Sequence, residues 1–514
     1  MKKLLIIIIF IFICLPVFSQ VDENDDDDQI SIHDDNYIYV INSFLFEIDG
    51  NTRQFALIIA GELYTGEQII GLSKLEEYVQ TKTQLLYNQR VLESVAIEYS
   101  IGDIREDGKY PVDLTVKIKD TWNIIALPKP NYQSGQGFEL TINARDYNFL
   151  GTMSPLRINL GYKYDQYNRT FFNIMTDSNT PFILFNFIWR FRFYNYFEYR
   201  PDMSKEWYYK NTVGLSFDLP IKDTTLTVGF HESFIYNEAN SERNIDIYGI
   251  DEIGEIMDGI YMSSRPFISW KIPIIEIGKY GDINYTPNLS ATFNHEFAQW
   301  PLDITRIGPF LTFNHIISFG RVDWQGNFQH GFTFEALNTF DYNFFNDDIT
   351  SYIKFTGIGH YNFNNHFSLS GRLMYRHWFD YEFGYEAAAD VLRGIWDDDV
   401  KADFMVSFNF DLTLGLIRFK PSNWLNTSKL RVFDFDFHIN PFLDAAIYRS
   451  SENEKNFPGT HFTYKNVLMS TGLEIIVYPA FFRSLFLRAS LGINMSTLTG
   501  LKSNEIFIGM ELHY

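Results

Sequence analysis

The chain has 514 residues, a net charge of −22 and one cysteine, Cys14. The negative charge argues against a nucleic-acid partner, because nucleic acids bind surfaces that are rich in Lys and Arg. The single cysteine excludes an internal disulfide. A lipid anchor on Cys14 is disfavoured, because the bulky Ile13 precedes it where a small residue is expected.

The first residues of the chain predict a processed and unstructured N-terminus. Two lysines precede an apolar run at residues 4–15, and a small-residue site follows that ends at Ser19. This is the pattern of a secretory signal peptide, so we assign residues 1–19 to that peptide with cleavage after Ser19. Residues 20–36 are rich in Asp and predict an acidic disordered tail.

Residues 37–121 predict a small α+β domain. A capping-box pattern at Ser73 and Glu76 indicates a helix start, and Leu75 and Val79 continue from it with helical spacing. The predicted order is strand, helix, helix, strand and strand. The helix with the capping box is the second one; the first strand is predicted at residues 37–48, the first helix at 53–63, and the last two strands at 92–101 and 112–119. This βααββ order fits a compact accessory domain ahead of a larger one.

Residues 122–514 alternate between apolar and polar side chains with the period of a β-strand. In residues 404–416 every even position is apolar, while Ser407, Asn409 and Asp411 lie between them. Aromatic residues make up 18% of the chain, which suits the aromatic girdles of a membrane barrel. We predict a transmembrane antiparallel β-barrel, because a sheet can cross lipid only if its edges close on each other.

The alternation yields about 16 to 18 candidate strands of the barrel. The first strands, at residues 123–133 and 138–146, are the least clear, together with the region around residues 246–300. Long connections fall at residues 194–207, 237–258 and 379–401, and long connections are typical of the extracellular side.

Two short motifs stand out from the alternation. The first motif, Arg393, Gly394 and Ile395, lies in the long connection at residues 379–401. The second, Phe442 and Asp444, lies on the second strand after that connection. Asp444 has the strand parity of inward-facing polar residues, so an Arg on a loop folded into the barrel could reach it. The guanidinium group offers a planar fork of hydrogen-bond donors, and the carboxylate group offers a matching pair of acceptors. The sequence therefore predicts a loop-to-wall clamp formed by these residues.

These motifs resemble those of the BamA/TamA superfamily, also called the bacterial surface antigen family. Its members carry an Arg-Gly-aromatic motif on an infolded loop and a Phe-x-Asp-x-Gly motif on a later strand. Here Ile395 replaces the aromatic residue and Ala446 replaces the second glycine. The turn at residues 49–51 and the run Asp-Tyr-Asn-Phe-Leu-Gly at residues 146–151 also resemble the family.

The resemblance implies a barrel of about 16 strands in the bacterial outer membrane. It also implies one POTRA-like domain, residues 37–121, in the periplasm, which makes the chain a single-POTRA member. A lateral seam would join the last strand, with Glu505, Ile506, Phe507 and Tyr514, to the first strand of the barrel.

The activity that the resemblance implies is outer-membrane protein assembly or polypeptide translocation. The partners would be outer-membrane lipids and extended polypeptide clients, with periplasmic chaperones or accessory lipoproteins as further partners. An incoming strand would add to the open edge of the seam or of the POTRA sheet. Neither a cofactor nor a metal is expected.

Two other functions remain open from the residues alone. One is a passive outer-membrane pore whose N-terminal domain is a plug or stalk, and the other is a surface antigen or adhesin that acts through its long loops. An enzyme is not expected, because the histidines His231, His295, His315 and His377 show no catalytic or metal-binding spacing.

Overall fold

The structure is a computed structural model. It describes residues 37–133, 137–164, 169–201, 207–236, 260–277, 281–297, 302, 306–364, 366–379, 386–387, 391–395, 401–449, 467–495 and 504–509. The predicted signal peptide and acidic tail lie outside the described residues, so both stay predictions. None of the described helices is long and apolar enough to cross a membrane.

The N-terminal domain, residues 37–121, is a four-stranded sheet with two helices. Its elements are β1 (Ile38–Asp49), α1 (Gln54–Gly61), β2 (Gln68–Ile70), α2 (Leu72–Tyr87), β3 (Leu92–Ile101) and β4 (Tyr110–Asp120). The strand order is β2-β1-β4-β3, with β1 parallel to β4 and the other pairs antiparallel. The small α+β region is therefore present, with one short edge strand, β2, that the sequence did not predict.

Helix α2 packs against the sheet through its predicted apolar stripe. Leu75 and Leu86 are fully buried and Val79 is nearly so. The predicted capping box is wrong: the helix begins at Leu72, with Gly71 as its N-cap and no side-chain cap. Lys82 interrupts the stripe but is buried, because its ammonium group donates a hydrogen bond to the carbonyl oxygen of Glu62 at 2.7 Å.

The rest of the described chain forms a closed antiparallel barrel of eighteen strands. The strands are β5 (Ile124–Gln133), β6 (Gly137–Asp146), β7 (Leu156–Tyr164), β8 (Thr170–Leu184), β9 (Phe187–Tyr199), β10 (Trp207–Ile221), β11 (Thr224–Tyr236), β12 (Ile260–Glu276), β13 (Asp282–Glu296), β14 (Phe310–Gln325), β15 (Phe328–Asn343), β16 (Asp348–Asn364), β17 (Phe367–Trp378), β20 (Phe404–Phe419), β21 (Phe435–Arg449), β22 (Val467–Pro479), β23 (Leu487–Asn494) and β24 (Asn504–Gly509). A separate two-residue pair, β18 (Glu386–Ala387) with β19 (Lys401–Ala402), lies in the connection between β17 and β20.

The expected number of about 16 strands is therefore wrong. Both unclear segments at the start of the barrel are true strands, since β5 and β6 pair with each other along their whole length. Their ring neighbours are β24 on one side and β7 on the other. The first barrel strand is thus β5, which follows the N-terminal domain almost directly.

The two faces of the barrel wall differ as the alternation predicted. Ser407, Asn409 and Asp411 on β20 are buried toward the interior. On β21, Asp444 is 0% exposed while its neighbour Leu443 is 38% exposed. A ring of strands with an apolar outer surface and a polar interior is the architecture of a membrane-spanning barrel.

Because the strands are antiparallel, the connections divide between two rims. We call the rim that carries the N-terminal domain the domain-side rim and the opposite one the loop-side rim. All three long connections expected on one side fall on the loop-side rim, with those at residues 237–258 and 379–401 as expected. The connection expected at residues 194–207 is shorter, because β9 continues to Tyr199 and β10 begins at Trp207. Parts of each, among them residues 202–206 and 237–259, lie outside the described residues.

We expect the N-terminal domain to depend on the apolar stripe of α2. Leu75→Ala in a fragment of residues 37–121 should lower the free energy of unfolding by about 2–5 kcal/mol, because it opens a cavity beside Tyr39 and Ile41. Leu45, which is 61% exposed, gives the matched control: Leu45→Ala should change that energy by about 0.5 kcal/mol or less. Urea unfolding followed by circular dichroism measures both, and equal effects would contradict the packing.

Candidate loop-to-wall clamp

The infolded connection between β17 and β20 enters the barrel and lies against its inner wall. Its described residues 391–395 are all buried. Two side chains of the wall hold its first carbonyl group: Nη2 of Arg372 and Nδ2 of Asn409 each donate to the oxygen of Val391 at 2.8 Å. Nε of Arg372 also donates to Oδ1 of Asn409 at 2.9 Å. The loop is therefore fixed to β17 and β20 just before the predicted clamp residue.

Arg393 lies at the centre of a group of carboxylates. Three of its nitrogen atoms donate to Asp444: the backbone N at 2.9 Å, Nε at 3.0 Å and Nη2 at 2.7 Å. Nη2 is also 2.7 Å from Oδ1 of Asp411, and Nη1 is 3.2 Å from Oε1 of Glu474. The ring of Phe442 lies 3.8 Å from the guanidinium carbon, which adds a cation–π contact.

The three carboxylates come from three successive strands, β20, β21 and β22, at inward-facing positions. Glu474 has two further partners, since Nδ2 of Asn440 donates to it at 2.8 Å and Nη1 of Arg488 lies 3.3 Å from it. Sequence reasoning missed Asp411, Glu474 and Arg488. The signal that could have found them is a charged residue at inward parity on each strand near Asp444.

Gly394 brings the loop backbone onto the last two strands. Its N–H donates to Oε2 of Glu505 on β24. Its φ of 79° lies in the left-handed region, where glycine is the favoured residue. A Cβ on Gly492 of β23 would lie 2.6 Å from the Cα of Gly394, so the two backbones approach more closely than any side chain allows. The loop therefore contacts the end of the ring as well as Asp444.

The two departures from the family motifs lie together in one apolar cluster. Ile395 is 0% exposed and Ala446 is buried, and both pack with Met374, Met405 and Leu468. An aliphatic side chain thus fills the position that is aromatic in the resembled motif. Both substitutions leave the Arg393 contacts in place.

The other predicted site residues belong to the seam side of the ring. Ile506 is exposed on the outer face, while Glu505 and Phe507 face inward. The Phe507 ring lies 4.3 Å from the guanidinium carbon of Arg488. Tyr514 lies outside the described residues. The structure thus brings Arg393, Gly394, Phe442, Asp444 and Glu505 together in the barrel interior, and their functional role stays a prediction.

Strand β5 presents an unusual edge to this seam. It contains Pro128 and Pro130, yet every residue of β5 is in register with β6. A proline has no N–H to donate, so a proline in a hydrogen-bonding position toward β6 would break that ladder. The nitrogen atoms of both prolines therefore face the other neighbour, β24. On that side β5 lacks two donors.

The two other segments that resemble the family meet where the N-terminal domain joins the barrel. The carboxylate of Asp120 accepts from the backbone N of Asn51 at 2.7 Å, the backbone N of Thr52 at 3.0 Å and the Thr52 hydroxyl at 2.6 Å. Nδ2 of Asn148 donates to the same hydroxyl at 2.7 Å. We call this group, with Gly151, the junction. It connects the turn after β1 to the turn after β6.

A second contact between the domain and the barrel centres on Arg90. Its guanidinium carbon lies 4.0 Å from the ring of Trp324, and its Nε donates to the carbonyl oxygen of Arg483 in the turn between β22 and β23. Burial lowers the pKa of Arg90 to about 10, so the side chain stays charged at neutral pH. The domain is thus held to the barrel on two sides of the rim.

Comparisons with known proteins give structural neighbours only. No protein-family model matches the chain, and no curated protein does. CdiB from Acinetobacter baumannii matches with 12% identity and a TM-score of 0.47, over 92% of this chain and 74% of that one. BamA from Haemophilus ducreyi, lacking POTRA domains 1–3, matches with 15% identity and a TM-score of 0.39, over 91% and 84%. CdiB from Escherichia coli matches with 8% identity and a TM-score of 0.43, over 95% and 93%.

Arg393→Met should destabilise the barrel by about 3–5 kcal/mol, because it removes the guanidinium that pairs with three buried carboxylates, of which Glu474 keeps Arg488. The matched control is Arg190→Met, which removes a partly exposed lumenal pair with Asp218 at 2.6 Å and should cost about 1 kcal/mol or less. Urea unfolding of the barrel in lipid vesicles, followed by tryptophan fluorescence, compares the two. Equal losses of unfolding free energy would show that the clamp contributes no more than the partly exposed pair of Arg190 and Asp218.

Gly492→Ala should displace the infolded loop, because the new methyl group overlaps the backbone of Gly394. Limited proteolysis of the folded barrel measures this as faster cleavage within residues 379–403. Gly359 on β16 provides the control, since a Cβ there meets no atom within 4 Å, and Gly359→Ala should leave the cleavage rate unchanged. An unchanged rate for Gly492→Ala would mean that the loop does not rest on β23.

Proposed function

We propose that the chain is an outer-membrane protein that assembles other outer-membrane proteins or translocates polypeptides. The barrel would lie in the outer membrane, with the N-terminal domain in the periplasm and the loop-side rim outside the cell. The observation that carries this proposal is the clamp: Arg393 holds an infolded loop to Asp444, while Gly394 of the same loop bonds to the last strand. A barrel that only conducts small solutes has no need for a loop that contacts its own seam.

The lengths of the strands support an opening at that seam. β5, β6 and β7 have 9 or 10 residues, β23 has 8, and the described part of β24 has 6. The thirteen other strands of the ring have 12 to 17 residues. A strand needs about 9–11 residues to cross lipid. The described wall is therefore shortest beside the seam.

The edge of β5 supports the same mechanism. Pro128 and Pro130 leave β5 without two N–H donors on the side that faces β24. A short ladder with missing donors costs less to separate, and its open edges can pair with an incoming strand. In the periplasm, the edge strands β2 and β3 of the N-terminal sheet offer the same kind of backbone edge to an extended polypeptide.

A passive pore is the second candidate, and one observation favours it. A cavity of about 740 Å³ lies between α2 and the inner wall at the domain-side mouth, lined by polar residues such as Lys82, Glu335 and Lys354. Such a cavity could admit water to the interior. Among the described residues, no three His, Cys, Asp or Glu side chains are arranged to hold a metal ion.

The decisive experiment is depletion of the protein followed by quantification of all outer-membrane proteins. We expect a defined group of barrel proteins or secreted polypeptides to disappear, and the wild-type chain to restore them. The double variant Pro128→Val and Pro130→Val should restore them poorly, because it returns two donors to the seam and holds it closed.

Pro287→Val, in β13 and away from the seam, is the matched control and should restore the lost proteins fully. A passive pore predicts a different outcome. Depletion would then leave the outer-membrane proteins unchanged, and the purified chain would give steady conductance in planar bilayers that both proline variants retain.

A further inference from the structure

The connection between β20 and β21 is the longest on the domain-side rim. It spans residues 420–434, whereas the turns at residues 185–186, 222–223 and 326–327 on the same rim have two residues each. Short turns are the rule on the periplasmic side of such barrels. This connection contains the short helix α3 (Pro421–Trp424) and a 3-10 turn (Ser428–Phe433). We call residues 420–434 the shelf.

Hydrogen bonds give the shelf a defined shape. Asp434 is buried and accepts from both the backbone N of Ser422, at 3.0 Å, and its hydroxyl group. The backbone N of Thr427 donates to the oxygen of Ser422 at 3.0 Å. The backbone N of Ala480, in the next turn of the rim, donates to the oxygen of Asp434 at 2.8 Å. The shelf is therefore an ordered connection that is hydrogen-bonded to the neighbouring turn.

The shelf turns large apolar side chains away from the protein. Trp424 is 67% exposed, Leu425 is 69% exposed and Phe433 is 59% exposed. These residues continue an existing apolar surface: the Trp424 ring lies edge-on to Phe419 at 5.0 Å, and Phe419 stacks on Phe435 at 4.9 Å. Phe419 and Phe435 are cross-strand partners on the outer face of the wall. The exposed residues thus extend the outer surface of the barrel at its rim.

The charge of the shelf is opposite to that of the chain. Its sequence holds the basic residues Lys420, Lys429 and Arg431 and one acid, Asp434, in a protein with a net charge of −22. Nη2 of Arg431 also lies 2.7 Å from Oε1 of Glu93 on β3, which links the shelf to the N-terminal domain. Exposed aromatic residues beside basic ones match the interface of a bilayer with anionic headgroups.

We propose that the shelf is a membrane-docking element. Trp424, Leu425 and Phe433 enter the phospholipid leaflet on the domain side of the barrel, and Lys420 contacts anionic headgroups at its surface. The shelf then supports the N-terminal domain against the membrane through Arg431 and Glu93. This inference rests on the membrane location proposed above and adds a second lipid contact beyond the barrel wall.

Site-specific quenching tests the proposal, since Cys14 is the only cysteine and falls in the predicted signal peptide. The chain without residues 1–19 is labelled at Trp424→Cys with an environment-sensitive fluorophore. It is reconstituted in phosphatidylcholine vesicles with and without phosphatidylglycerol, and lipids brominated in their acyl chains serve as quenchers. Phe408→Cys, on the outer face of β20, and Lys222→Cys, in a two-residue turn of the same rim, are the reference positions.

We expect the label at position 424 to lose intensity to an extent comparable with position 408, and the label at position 222 to lose little. The loss at position 424 should grow with phosphatidylglycerol, and Lys420→Glu should remove that increase. Quenching at position 408 without quenching at position 424 overturns only the proposed docking of the shelf and leaves the membrane location in place. The same applies if the label at 424 is shielded from aqueous iodide but not quenched by lipid, since protein then covers it. No quenching at position 408 overturns the membrane location itself.

Discussion

The buried guanidinium of Arg393 is the interaction on which the barrel interior depends. It lies among three carboxylates that three neighbouring strands contribute, so neither the cation nor the carboxylates can be buried favourably without the others. A shift of one residue in any of these strands would turn its carboxylate to the outer face. The clamp therefore fixes the register of β20, β21 and β22 as well as the position of the loop.

Close backbone contact is the second constraint, and glycine provides it at two places in the structure. Gly394 and Gly492 meet inside the barrel, and Gly151 meets the turn after β1 at the junction, where a Cβ would lie 2.1 Å from the oxygen of Asn51. Inside the barrel, Asp444 accepts from the backbone N–H of Arg393 on the loop. At the junction, Asp120 orders residues 51 and 52 within the N-terminal domain, and the barrel is joined to that turn by the bond from Nδ2 of Asn148 to the Thr52 hydroxyl and by the bond from the backbone N of Arg53 to the oxygen of Gly151.

The sequence could predict what depends on local periodicity. Alternation identified the inward face of β20 and β21, and parity placed Asp444 on the inner wall opposite a loop arginine. The sequence could not predict Asp411 and Glu474 as partners of Arg393, because their contact depends on the register between separate strands. The figure of about 16 strands that the resemblance implied was too low, whereas the roughly 16 to 18 candidate strands from alternation include the observed number. The first of them was unclear for a local reason, since Pro128 and Pro130 make β5 look unlike a strand. The predicted start of α2 was also wrong. Gly71 is the N-cap and the helix begins at Leu72, so Ser73 lies inside the first turn.

The contacts on the two sides of the seam are unequal, so under the proposed opening the two sides would not move equally. β24 is paired with β23 and bonded through Glu505 to the clamped loop, so it belongs to the rigid side. β5 has two proline nitrogen atoms toward the seam, and its other neighbour, β6, leads directly into the junction through Asn148. Because the backbone N of Tyr147 also donates to the oxygen of Asn123 at 2.9 Å, the start of β5 and the end of β6 are joined at the domain-side rim. A displacement of the N-terminal domain would therefore be passed through the junction to β5 and β6. Under the proposed function, this makes the domain a place from which a bound polypeptide could act on the seam.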